Sequence, residues 1–214
     1  MKLDVMLIQL IQGMVVSVEI FLLTLLFSLP LGLLVAFGRM SKNRIVSAVV
    51  KFYIAIMRGT PLMLQLIVVY FAPFYIFGVN LKGFRFPAII IAFSVNYAAY
   101  FAEIYRGGIE AIPKGQYEAA QVLGYNKVQT FFRIVFPQVL RIITPSVTNE
   151  TITLVKDTSL AFVLAQAEMF TIAKQIAAKE ASVGPLMVAG AFYFVFNFVV
   201  AFVMDRIEKK LNYY

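Results

Sequence analysis

Between Leu10 and Gly38 the chain carries a single ionisable side chain, Glu19, in an otherwise apolar run. That stretch exceeds the roughly 20 residues a helix needs to cross a hydrocarbon core about 30 Å thick. It is far too long for a strand of a soluble core. Four further apolar segments follow, from Pro61 to Phe77, Phe86 to Ala102, Ile142 to Val155 (or from Pro137) and Leu186 to Met204, each bounded by charge. The composition agrees: 61% of residues are hydrophobic and 14% charged, against about 25% charged in soluble proteins. Backbone polar groups in lipid must be satisfied within the segment, which helices do. The expectation is an all-α integral membrane protein with five transmembrane helices, forming one domain over residues 1–214. Met1-Lys2 before an apolar run also fits a signal peptide, but the run outlasts an h-region of about 7–15 residues and is followed by Arg39, Lys42 and Arg44.

Orientation follows from the basic residues. Arg39, Lys42, Arg44, Lys51 and Arg58 follow the first span; Arg106, Lys114, Lys127, Arg133 and Arg141 follow the third; Arg206, Lys209 and Lys210 follow the fifth. The opposite side holds fewer: Lys2, Lys82, Arg85, Lys156, Lys174 and Lys179. The positive-inside rule then puts the N-terminus outside and the C-terminus in the cytoplasm. A net charge of +8, spread over juxtamembrane segments, speaks for topology and anionic lipid rather than nucleic acid.

Several chemistries are excluded. The chain has no Cys and no His, which removes thiol, Cys/His zinc and Ser-His-Asp chemistry. No Gly precedes a Lys, so the chain has no P-loop of its own. We expect no catalytic residue and no metal site.

One polar island lies between the third and fourth spans. From Tyr117 to Pro137 it reads Glu118-Ala119-Ala120, then Gly124, then Ile134-Val135-Phe136-Pro137. Pro113, Lys114 and Gly115 precede it, and helix formers run to Leu123 before Gly124 stops them; a cytoplasmic helix of about two turns is expected. Glu118 suits its N-terminal end, small Ala119 and Ala120 allow close approach, and Gly124 permits a sharp exit. This spacing resembles the EAA loop of importer-type (type I) ABC permeases, with Phe136 where that family usually has Leu. The resemblance implies a coupling helix, with Glu118, Ala119, Ala120 and Gly124 engaging a separate ATPase subunit. As a bare pattern, it also fits a surface helix joining two spans.

Polar residues inside the spans point to a cavity, because an ionisable group in hydrocarbon is costly and faces protein or water. At about 1.5 Å per residue, Glu19, Asn96 and Glu150 each lie roughly 14–15 Å deep, near the midplane. Thr153 and Asp157 share the Glu150 face at i+3 and i+7, with Lys156 beside them. Lys156 and Asp157 could instead neutralise one another, and Glu19 could serve only to hydrogen-bond a neighbouring helix. At Arg58-Gly59-Thr60-Pro61, Thr60 suits an N-cap and Pro61 a first helical position. Either the second span begins there with Arg58 snorkelling to the surface, or a helix running through Phe52 to Met57 is interrupted. The 17 residues from Pro61 to Phe77 reach about 26 Å, barely enough to cross. Between Leu160 and Val183 a loop is expected on the outer side, with an interfacial helix over Ala167 to Ala181. Phe192, Phe194, Phe196 and Phe198 give the fifth span a bulky surface.

Arg58-Gly59-Thr60-Pro61, the segment from Tyr100 to Gly108, and Thr148-Asn149-Glu150 through Lys156-Asp157-Thr158-Ser159 resemble the polar amino acid permeases of the same ABC group. That resemblance implies a permease in the cell membrane, paired with a second copy or relative and two ATPase subunits that bind ATP and Mg. It also implies a solute-binding protein outside. The expected cargo is a cationic or polar L-amino acid moved by alternating access. Gly59 and Thr60 would offer backbone donors to the carboxylate, Glu150 and Asp157 an acidic face to the cation, and Asn96, Tyr97 and Thr153 the lining. Glu103 could add a further acid near the inner end of the third span. The competing reading is an ion- or proton-coupled secondary carrier using Glu19, Glu150 and Lys156 as a relay; a membrane-embedded enzyme lacks a nucleophile–base pair to support it.

Overall fold

The computed structural model describes residues 3–211, and among these every regular element is helical. Helix α1 (Leu3–Arg39) is followed by α2 (Arg44–Gly59), α3 (Leu62–Phe77) and α4 (Arg85–Glu110). Short α5 (Lys114–Val122) and α6 (Lys127–Thr130) lead through a π-helical turn at Phe131–Val135 into α7 (Phe136–Asp157). A 3₁₀ segment, Thr158–Leu164, then α8 (Met169–Glu180) and α9 (Gly184–Leu211) complete the path. Three helices, α1, α4 and α9, are long and apolar enough to cross a membrane alone; the bent pairs α2–α3 and Lys127–Leu164 with α8 raise this to five if each is one span.

The expected spans lie inside these helices, but several bounds move. Helix α1 starts at Leu3 rather than Leu10, and its 37 residues measure about 56 Å. The third span extends past Ala102 to Glu110. The fourth was read too short: helical backbone begins at Lys127, and Pro137 sits in the first turn of α7. Because proline has no N–H, the ladder loses a donor at Pro137. The π-helical turn immediately before it carries the backbone across, with the Phe136 N–H reaching back to the Phe131 carbonyl. The segment from Leu160 to Val183 contains a helix where one was expected, at Met169–Glu180, but it is packed against α1 and α9 rather than laid on the surface.

The second span corrects a second reading. Helix α2 runs into Gly59 and α3 leaves at 112° to it, so the interruption, not a fresh start, is what the chain adopts. Thr60 is the C-cap of α2 and not the N-cap of α3. The residue before a proline is pushed into extended backbone, and Thr60 has φ −122° and ψ 149°. Its N–H therefore closes α2 on the Ile56 carbonyl, and the Pro61 carbonyl accepts the Leu64 and Gln65 amides that open α3.

Helix α4 forms the centre, with Ala88, Phe93, Tyr97, Phe101 and Ala102 all buried. It packs most extensively on α1. That approach rests on small residues: Thr24, Ser28, Gly32 and Ala36 lie on the buried stripe of α1, the pattern by which membrane helices come close. A Cβ on Gly32 would stand 2.8 Å from the Phe101 Cβ, and one on Gly13 would stand 2.8 Å from the Met169 Cα. Phe196 of α9 meets Phe21 edge-on at 5.3 Å, whereas Phe194 and Phe198 are exposed.

Candidate functional site

A cavity of about 410 Å³ opens where the α2–α3 break meets α4 and α7. Thr60, Asn96, Tyr97, Glu150, Thr153 and Asp157 all line it, together with Leu62 and Tyr100; Gly59 does not. The turn geometry of α7 explains the acidic wall, since residues at i, i+3 and i+7 share one face. Tyr97 donates to Asp157 Oδ2 at 2.8 Å, fixing one carboxylate oxygen and leaving the other to the cavity. Asn96, nearly fully buried, donates to the Met57 carbonyl at 3.0 Å and to Gln65 Oε1 at 2.9 Å. Thr153 Oγ1 donates to its own helix at the Asn149 carbonyl. Among the described residues Glu150 has no hydrogen-bonded or ion-pair partner, and it is half-buried. The Gly59 and Thr60 amides are engaged by α2, so open donors here belong to the first turn of α3, beginning at Leu62.

A second cavity of about 430 Å³ adjoins it on the α5 side, lined by Arg58, Tyr100, Glu103, Ser146 and Glu150 among others. Tyr100 and Glu150 belong to both. Glu103 accepts from Arg106 at 2.7 Å and lies 3.9 Å from Arg39, tying the ends of α1 and α4. Glu19 and Lys156 are exposed and line neither cavity. No ion pair joins Lys156 to Asp157 among the described residues, as expected for neighbours that do not face each other on a helix. A larger groove of about 850 Å³, lined by Tyr70, Phe74, Lys82 and Arg85, sits at the far end of α3, away from these acids. Among the described residues no cluster could hold a metal ion.

Helix α5 begins at Lys114, three residues before the expected start, and Gly124 ends it with φ +74°. Glu118 and Ala119 are exposed, as are Val122, Leu123 and Val128 beyond them. Ala120 is fully buried, so its small side chain serves contact with the rest of this chain rather than an outside partner. Partial burial raises the Tyr117 hydroxyl above its ordinary pKa.

A polar cavity at the meeting of broken and continuous apolar helices, with a short exposed helix between them, can be set beside known proteins. The family profile described as binding-protein-dependent transport system inner membrane component matches residues 28–213. The chain belongs to this family. It is similar to the putative glutamine transport system permease protein GlnP of Rickettsia conorii, 34% identical over 202 residues that cover 94% of this chain and 92% of that one. It is 37% identical to the L-cystine transport system permease protein TcyB of Bacillus subtilis over 204 residues, covering 94% and 86%. The solved structure of an amino acid ABC transporter with histidines superposes with a TM-score of 0.84 at 30% identity, covering 94% of both chains.

Two residues of this permease escaped the sequence reading. Gln65, inside the apolar run of α3, donates to the Met57 carbonyl and to the Thr60 carbonyl and Oγ1 while accepting from Asn96. It ties the corner between α2 and α3 to α4; its sequence signal was only an amide among apolar neighbours. Glu168 is fully buried at the start of α8. Its carboxylate accepts from the Phe170 and Thr171 amides, both at 2.7 Å, and from Thr171 Oγ1, Tyr193 and Ser17. An acidic N-cap before Met169 was the available signal.

Proposed function

We propose that this permease is the membrane-spanning subunit of an ATP-driven importer for cationic or polar L-amino acids. The observation that carries the reading is the cavity that gathers Glu150 and Asp157 with Asn96 and Tyr97 beside the open first turn of α3. Amides of a half-helix N-terminus suit a carboxylate, and acids across the cavity suit the cationic groups. Glutamine, cystine and histidine, named for the relatives and the solved structure, all carry that carboxylate and ammonium. Exposed Glu118, Ala119, Val122 and Leu123 give α5 the face for a cytoplasmic ATPase, which binds ATP and Mg. A second permease completes the pathway, and a binding protein delivers cargo from outside. In this reading the chain makes five spans of a cell membrane with its N-terminus outside, and α5 faces the cytoplasm. Thr60 and Thr153 line the path, with Gly59 behind Thr60.

The test is purification from the native membrane in mild detergent, followed by mass spectrometry and proteoliposome uptake of labelled L-arginine and L-glutamine. A stoichiometric P-loop ATPase and ATP-dependent uptake support the reading. A chain that is isolated alone and moves amino acid under an ion gradient establishes a secondary carrier instead.

A further inference from the structure

We propose that the α5-side cavity is a second amino-acid subsite, one step along the exit route, in which Arg58 takes the substrate carboxylate and Glu150 keeps the positive group it holds in the first cavity, the side-chain cation where the substrate has one. The inference rests on reading the neighbouring cavity as the substrate site. Its volume, about 430 Å³, falls within the roughly 300–1,000 Å³ of small-molecule sites. Among its charged groups Glu103 is already committed, to Arg106 and Arg39. Arg58 and Glu150 attract one another across the cavity without closing to an ion pair among the described residues, so a ligand can come between them, and the Arg58 guanidinium rests over the Tyr100 ring at 5.3 Å from its centroid. One cation and one anion facing each other without direct contact complement a zwitterion, and a guanidinium matches a carboxylate in bidentate geometry.

The two cavities share Glu150 and Tyr100, and this gives the second one a direction. A substrate leaving the first keeps Glu150 on its positive group while its carboxylate exchanges the α3 amides for Arg58. No charge is left unpaired during the step, which lowers the cost of moving a zwitterion through a low-dielectric passage. Tyr100, under Arg58 and on both linings, is the group that must turn aside.

The experiment is equilibrium dialysis of radiolabelled L-arginine, and separately L-glutamine, against the purified permease–ATPase complex in lipid nanodiscs without nucleotide. One amino acid per permease chain is expected, because the two cavities share Glu150, and E150Q weakens its binding. R58Q, and S146W, which fills the α5-side cavity without touching its charges, leave that binding within about twofold but slow ATP-driven uptake by the same complex in proteoliposomes about tenfold, and R58K restores most of the rate. Uptake unchanged by R58Q and S146W overturns the subsite and leaves the importer reading intact. A complex that hydrolyses ATP yet neither binds nor transports either amino acid overturns both.

Discussion

Replacing Glu150 by Gln removes one negative charge from the cavity while keeping the shape and hydrogen-bonding capacity of the side chain. Glu150 is half-buried and has no partner among the described residues, so the substitution breaks no internal ion pair and should leave folding intact. A hydrogen bond to a charged group contributes about 1.5–3 kcal/mol. The low end applies here, because Asp157 lines the same cavity and its second oxygen retains part of the attraction. At 1.4 kcal/mol per factor of ten, the KM for L-arginine uptake should rise about 10- to 30-fold. L-glutamine, whose neutral side chain does not require the charge, should lose clearly less, about threefold. The assay is initial-rate uptake by proteoliposomes holding the complete complex and ATP, at matched protein and thermal stability. Equal losses for the two substrates, or none for either, would show that Glu150 does not read the side-chain charge.

Other consequences can be measured separately. Gly32→Ala puts a Cβ 2.8 Å from the Phe101 Cβ and should destabilise by about 1–3 kcal/mol, lowering the apparent Tm in detergent. Gly190→Ala, with nothing within 4 Å of the new Cβ, should leave Tm unchanged or raise it. Val122→Arg changes an exposed residue of α5; the ATPase should no longer co-purify although the permease keeps its Tm. Gln65→Leu leaves Asn96 with the Met57 carbonyl alone, costs about 1–3 kcal/mol for the lost buried partner, and should lower Tm while reducing protection by bound L-arginine.

Hydropathy made the spans legible because apolar length is a linear property of sequence. Periodicity likewise brought Glu150, Thr153 and Asp157 to one wall, and the Gly124 stop located the end of α5. Counting residues gives a position along a helix but no direction around it, which is why Glu19, about halfway along α1, lines neither cavity. The α2–α3 corner was left open because the apolar residues from Phe52 to Met57 suit either a continuous span or a bent one. Only the hydrogen bonds of Gln65 and the extended backbone that Pro61 forces on Thr60 decide it. Glu168 escaped the sequence reading because its partners, Ser17 and Tyr193, are distant along the chain.

Those partners also bear on how the protein is made. During synthesis Ser17 enters the bilayer with α1 long before Glu168 is translated, and the Phe170 and Thr171 amides arrive two and three residues after it. The Tyr193 hydroxyl comes last, with α9. Until that helix is inserted, the buried acid lacks one of its donors. The bonds that hold this buried acid thus join segments made far apart in time, and its set of donors is complete only once α9 is in place.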